Sequence, residues 1–158
     1  MVPPIRRAVD HTMIPATVNV SIILLKIVEI DEENHAIDFQ YEIILKWRDN
    51  RLVFNNLKQE TSLNAILESD VKRLWLPLVI YDNTDQKVTT RLGMEWEWST
   101  SVTVTREGNF TRSGSEMVDE TEIFKGEENT LVMTQEYTHE FQCTFQLGRY
   151  PFDTQVRI

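Results

Sequence analysis

The chain has 158 residues, 41% of them hydrophobic and 26% charged, with a formal net charge of −9. That length and composition suit one folded domain with a sizeable core and argue against wholesale disorder. The acidic balance argues against nucleic acid or anionic lipid as partners, since both require a basic face.

No run of the sequence is long and apolar enough to cross a bilayer. The longest, Ile22-Ile23-Leu24-Leu25, is interrupted by Lys26, far short of the roughly 20 residues required. Met1-Val2-Pro3-Pro4-Ile5-Arg6-Arg7 lacks the apolar stretch of a secretory leader. The single cysteine, Cys143, has no internal partner and reads as a free thiol behaving as a small apolar side chain. Two N-glycosylation sequons, at Asn19 (Asn19-Val20-Ser21) and Asn109 (Asn109-Phe110-Thr111), lean toward a secreted chain.

In chain order, residues 1–16 read as a loosely attached N-terminal segment. Residues 17–30 form an apolar strand, and Asp31-Glu32-Glu33-Asn34-His35 is the polar turn that follows it. From Ile37 to Trp47 every second residue is apolar: Ile37, Phe39, Tyr41, Ile43, Leu45, Trp47. This period of two predicts a half-buried strand, hairpin-paired with the strand before it. A turn or two of helix is expected over residues 69–74, capped by Ser69 and ended by Pro77.

Residues 99–105 alternate valine with threonine, then break at Arg106-Glu107-Gly108-Asn109. Short strands are expected at 120–124 and 131–134. A longer one, at 137–147, carries Tyr137, His139, Phe141, Cys143, Phe145 and Leu147 on one face. Many short strands with turns between them and almost no helix predict an all-β chain, an antiparallel β-sandwich.

Enzyme motifs are missing. Arg112-Ser113-Gly114-Ser115-Glu116 lacks the glycines of a nucleophile elbow, and five glycines leave little room for a phosphate loop. His11, His35 and His139 are far apart and without ligand spacing. A calcium loop starting at Asp31 would need glycine at its sixth position, where Ala36 stands. The chain reads as no enzyme, with no catalytic residues, no metal and no cofactor.

One segment differs in kind. Cys143-Thr144-Phe145-Gln146-Leu147-Gly148-Arg149-Tyr150-Pro151-Phe152-Asp153-Thr154-Gln155 resembles the signature of the Cys-loop (pentameric ligand-gated) ion-channel family. Val28-Glu29-Ile30-Asp31-Glu32-Glu33-Asn34 resembles that family's first hairpin turn. Trp47-Arg48-Asp49-Asn50-Arg51-Leu52 resembles its Trp-x-Asp-x-Arg-Leu element, and Leu74-Trp75-Leu76-Pro77 its Trp-x-Pro element, followed by Tyr81-Asp82-Asn83. The motifs occur in the family's order over residues 17–157.

The resemblance implies the N-terminal part of an extracellular ligand-binding domain. Residues 1–16 would be an N-terminal segment, and 17–158 a partial sandwich, incomplete at its C-terminal end and ending at the Cys loop. The implied partners are other subunits of a pentamer, a small-molecule transmitter, and the membrane through pore helices that this chain does not contain; nucleic acid is not among them. The implied location is the extracellular face of the plasma membrane. Carried over by motif, Asp31, Glu32, Glu33, Tyr150, Pro151, Phe152 and Asp153 would couple binding to the pore. Trp47, Asp49, Arg51, Trp75 and Pro77 would be scaffold.

The ligand-binding positions would include Glu42, Ile44, Tyr81 and Asp82. Glu42 stands where the complementary face usually offers an aromatic, and Ile44 where some members carry an arginine. Asp82 replaces a tyrosine common in nicotinic subunits. The partner position of Cys143 is occupied by Arg157, so the family's disulfide cannot form. Two other readings remain open: a secreted, pore-less binding module resembling acetylcholine-binding protein, and an unrelated extracellular adhesion sandwich.

Overall fold

The computed structural model describes residues 3–7, 13–81, 83–84, 101–113 and 121–143. Nine strands account for most of them. At the N-terminus β1 (Ile5–Arg7) pairs antiparallel with β2 (Met13–Pro15). A four-stranded antiparallel sheet follows the order β3 (Asn19–Asp31), β4 (Ala36–Trp47), β9 (Thr130–Gln142), β6 (Ser101–Thr105). A three-stranded sheet is ordered β5 (Val53–Asn55), β8 (Thr121–Lys125), β7 (Phe110–Ser113). The fold is the expected all-β antiparallel sandwich.

Alternation in the sequence becomes alternation in space. Trp47, Leu45, Ile43, Tyr41, Phe39 and Ile37 of β4 face one side and stand opposite Leu131, Met133, Gln135, Tyr137, His139 and Phe141 of β9. Paired side chains on one face of a sheet pack as rows. Val102 and Val104 of β6 extend two of these rows. The second sheet contributes Phe54, Phe124 and Phe110, which lie in one cross-strand row. Phe124 is wholly buried, with the Phe110 ring 5.6 Å away. The core lies where these two apolar faces meet.

Strand β3 continues that face without cover. Val20, Ile22, Leu24, Ile27 and Ile30 stand opposite Leu45, Ile43, Tyr41, Phe39 and Ile37. Two register shifts, around Leu25 and Val28, keep the apolar residues in phase where strict alternation would have rotated them away. All five are exposed, Ile22 by 64%. The strand is an edge among the described residues, with its apolar column facing solvent.

Three expectations need correction in detail. The helical turn α1 is Glu68–Val71, with Leu67 at its N-cap, so Ser69 lies inside it and caps nothing. The carbonyl of Leu67 accepts from Asp70 and Val71, and Glu68 and Asp70 in the first turn suit the positive end of the helix dipole. The expected strands at 131–134 and 137–147 are one strand, β9, through Gln142; residues 144–147 lie outside the described residues. Strands β5 and β7, three and four residues long, have no expected counterpart.

Candidate functional site

Strand β4 presents two different chemistries on its two faces. Glu42 and Ile44 alternate with buried Tyr41, Ile43 and Leu45 and therefore point away from the core. On that outward face Glu42 stands opposite Glu136 of β9, and Asp38 opposite Glu140. On the other side Asp38 stands opposite Glu29 of β3. Like charges directly opposite one another repel; Lys26, opposite Gln40, and Lys46 set two cations on the same face against these carboxylates. Gln40 relieves part of the repulsion by donating its side-chain amide to Glu136. Ile44, between Ser21 and Thr134, makes a small apolar step beside the carboxylates.

Tyr81 lies on the opposite side. Its ring sits 5.2 Å from His139, 6.0 Å from Phe141, 6.1 Å from Tyr41 and 6.4 Å from Tyr137. These rings belong to the core face of β4 and β9. The Tyr41 hydroxyl and His139 Nδ1 are 2.7 Å apart and share a hydrogen bond, which satisfies the inner-face histidine. Burial, and after it the neighbouring Tyr81 phenol, raises the Tyr41 pKa above the ordinary tyrosine value. Burial raises Tyr81 likewise. Both phenols are neutral at physiological pH, and the Tyr81 hydroxyl is buried without a hydrogen-bond partner among the described residues. Within one chain, then, the sheet separates Tyr81 from Glu42 and Ile44. Asp82 lies outside the described residues.

One end of the sheet gathers the turn residues. Asp31 accepts from the backbone N–H of Asn34 at 2.9 Å and from its side-chain amide at 2.7 Å. Those bonds hold the Asp31 carboxyl below its usual pKa, so it stays ionised and closes the turn. Glu32 and Glu33 project into solvent. His35 takes the left-handed backbone, φ 55°, and its carbonyl accepts from the Cys143 N–H at 2.7 Å. Next to it Gln142 N–H donates to Asn83 O at 2.9 Å. The β3–β4 turn, the start of the Cys143 segment and the loop after Pro77 are thus tied together. Cys143 is a half-buried free thiol. Tyr150, Pro151, Phe152, Asp153 and Arg157 lie outside the described residues.

This layout has a counterpart among known proteins. The family model for the neurotransmitter-gated ion-channel ligand binding domain matches residues 4–156. The chain belongs to that family. No curated protein matches it.

In this ligand-binding domain, two pairs of the residues expected to be scaffold lie in contact at or just beyond the other end of β4, Trp47 with Trp75 and Asp49 with Arg51. Trp47 is buried and meets Trp75 edge to face at 6.3 Å; Pro77 is buried nearby in sequence. Asp49, only 2% exposed, accepts from the Arg51 backbone N–H at 3.0 Å and from its Nε and Nη2 at 2.8 and 2.6 Å. The fork geometry explains why arginine suits this position. Burial pushes the Asp49 pKa up, but the Arg51 side-chain bond, its backbone bond and its charge together hold it below the usual carboxylate range.

A depressed pKa in the fold contributes stability above the unfolded value, about 3.9, and loses it as pH falls through the lower folded value. Asp49→Asn is therefore expected to melt below wild type at pH 6, with the gap closing as pH falls below about 4. Melting curves across that range check it, and a gap independent of pH contradicts it.

Motif matching singled out Glu42 and Ile44 but not Glu136, Tyr41 or Tyr137. Register brings these in: Glu136 stands opposite Glu42, and Tyr137 opposite Tyr41, the neighbour of Glu42 in sequence.

Proposed function

We propose that this ligand-binding domain receives a small cationic transmitter between neighbouring subunits of a pentameric channel and passes the binding event to the pore. The observation that carries this reading is the separation across β4. Glu42 and Ile44 face outward while Tyr81 packs on the core side. A site using both kinds of residue therefore draws them from two copies. The paired carboxylates Glu42 and Glu136 favour an amine over an anionic ligand. Coupling is assigned to the turn of Asp31, Glu32 and Glu33 and to the segment after Cys143, joined by the bond from Cys143 N–H to His35 O. In the full-length channel the domain would lie on the extracellular face of the plasma membrane.

The test is current recorded from oocytes expressing the full reading frame, challenged with cationic amines and with zwitterionic amino-acid transmitters. Amines are expected to open the channel, and Glu42→Gln to raise the half-maximal concentration about tenfold. A response confined to the amino acids, an unshifted Glu42→Gln, or binding without current contradicts this reading. The last of these outcomes favours the pore-less module.

A further inference from the structure

A second concave region lies on the three-stranded sheet, away from the β4 face discussed above. A cavity of about 470 Å³ is lined by Asn56, Leu57, Lys58, Arg106, Arg112 and Glu122, among others. Its charge is opposite to that of the chain. Among the described residues that line it, three cations (Lys58, Arg106, Arg112) accompany a single carboxylate, Glu122, in a protein of net charge −9.

The walls are held from several sides. Asn56, in the left-handed backbone region at φ 55°, donates its N–H to Glu122 O at 2.8 Å. Its side-chain oxygen accepts the Glu122 N–H at 3.0 Å. Buried Asn64 clamps the Lys58 backbone in both directions, accepting its N–H at 2.7 Å and donating to its carbonyl at 2.9 Å. Arg106 is fixed most tightly. Its side chain is 20% exposed, it donates to Leu57 O at 3.1 Å, and its guanidinium lies 4.7 Å from the Phe124 ring centre and 5.4 Å from that of Phe110. Arg112 approaches the same Phe110 ring at 5.6 Å.

Two guanidiniums converging on one ring repel each other. Glu122 stands opposite Arg112 in the β7–β8 ladder and forms an ion pair with Arg106 at 3.9 Å, so one carboxylate is shared between two guanidiniums. We propose that this cavity binds a small molecule through an oxyanion group (carboxylate, sulfate or phosphate) held by Arg106, Arg112 and Lys58. Planar, preoriented guanidiniums favour such groups, because little side-chain freedom is left to lose on binding. This site is independent of the agonist reading and would be occupied on each subunit separately.

The experiment follows the melting temperature of the chain as sodium sulfate replaces sodium chloride at constant ionic strength. Sulfate also stabilises proteins generally by exclusion from their surface, an effect that grows without saturating. Wild type is expected to show a saturable rise on top of that background. Arg112→Gln and Lys58→Gln, both at exposed side chains, are expected to weaken the apparent affinity about tenfold each, and the double variant to keep only the background. Lys26→Gln, on β3, should leave the saturable part intact. A wild-type rise that never saturates, or one undiminished in the double variant, overturns the proposal.

Discussion

Gly126→Ala is expected to lower the stability of the domain by about 3 kcal/mol or more. Gly126 sits just after β8, where the chain passes over the Trp47-Arg48-Asp49-Asn50-Arg51-Leu52 element. A Cβ added there would lie 2.2 Å from the Asp49 carbonyl oxygen, 2.9 Å from that of Leu52 and 3.0 Å from Leu52 Cβ. Two of these neighbours are backbone atoms and cannot rotate aside. The close approach is itself bonded: Gly126 N–H donates to Leu52 O at 2.9 Å, and Leu52 N–H to Asp49 O at 3.2 Å. Room for a methyl group would have to come from pulling these segments apart, which breaks the bond that extends the β5–β8 ladder there. Urea unfolding measures the effect. A midpoint shift worth less than about 0.5 kcal/mol, with an unchanged slope, contradicts it.

The second large effect is at Trp47. Its side chain is 2% exposed, stands opposite Leu131 and meets Trp75 edge to face. Truncation to alanine removes the largest fully buried side chain of the core and is expected to cost about 3–5 kcal/mol. Trp47→Phe separates two contributions. The indole N–H is buried without a hydrogen-bond partner among the described residues, so removing it relieves an unpaired donor while losing part of the ring. Phenylalanine is therefore expected to cost about 1–2 kcal/mol, well under alanine. Equal losses for the two variants would show that the indole N–H matters more than the packing.

How far the sequence disclosed this molecule depended on local periodicity. Strand β4 was legible almost end to end because every second residue from Ile37 to Trp47 is apolar, with Ile44 the one apolar residue between them. Strand β9 was split in two because Gln135, a polar residue, faces the core opposite Ile43 and interrupts the apolar series. β5 and β7 were missed because three or four residues cannot show a period, and both exist by pairing with β8. Ser69 looked like a cap by residue type. Only the backbone reveals that the helix begins one residue earlier, at Glu68.

The site was legible in the same uneven way. The parity of Tyr41 and Glu42 alone puts them on opposite faces of a strand, so the outward position of Glu42 follows from the sequence. The position of Tyr81 does not. It sits in an aperiodic stretch after Pro77, and only the rings of Tyr41, Tyr137, His139 and Phe141 around it reveal which face it joins. The facing carboxylates Glu42 and Glu136 are 94 residues apart, and no local pattern links them.

The central claim is that one binding site takes Glu42 from one subunit and Tyr81 from its neighbour. Complementation between two defective subunits tests it most directly. Glu42→Gln leaves the Tyr81 side whole, and Tyr81→Leu removes the aromatic ring, whose hydroxyl is itself buried, while leaving the Glu42 side whole. Each variant expressed alone in oocytes is expected to respond only at raised agonist concentration. Expressed together, they form some interfaces in which an intact Tyr81 side meets an intact Glu42 side. The account predicts a high-sensitivity component in the concentration–response curve of the mixture, at the wild-type half-maximal concentration. A mixture that responds only as the two variants do separately would contradict a site shared between subunits.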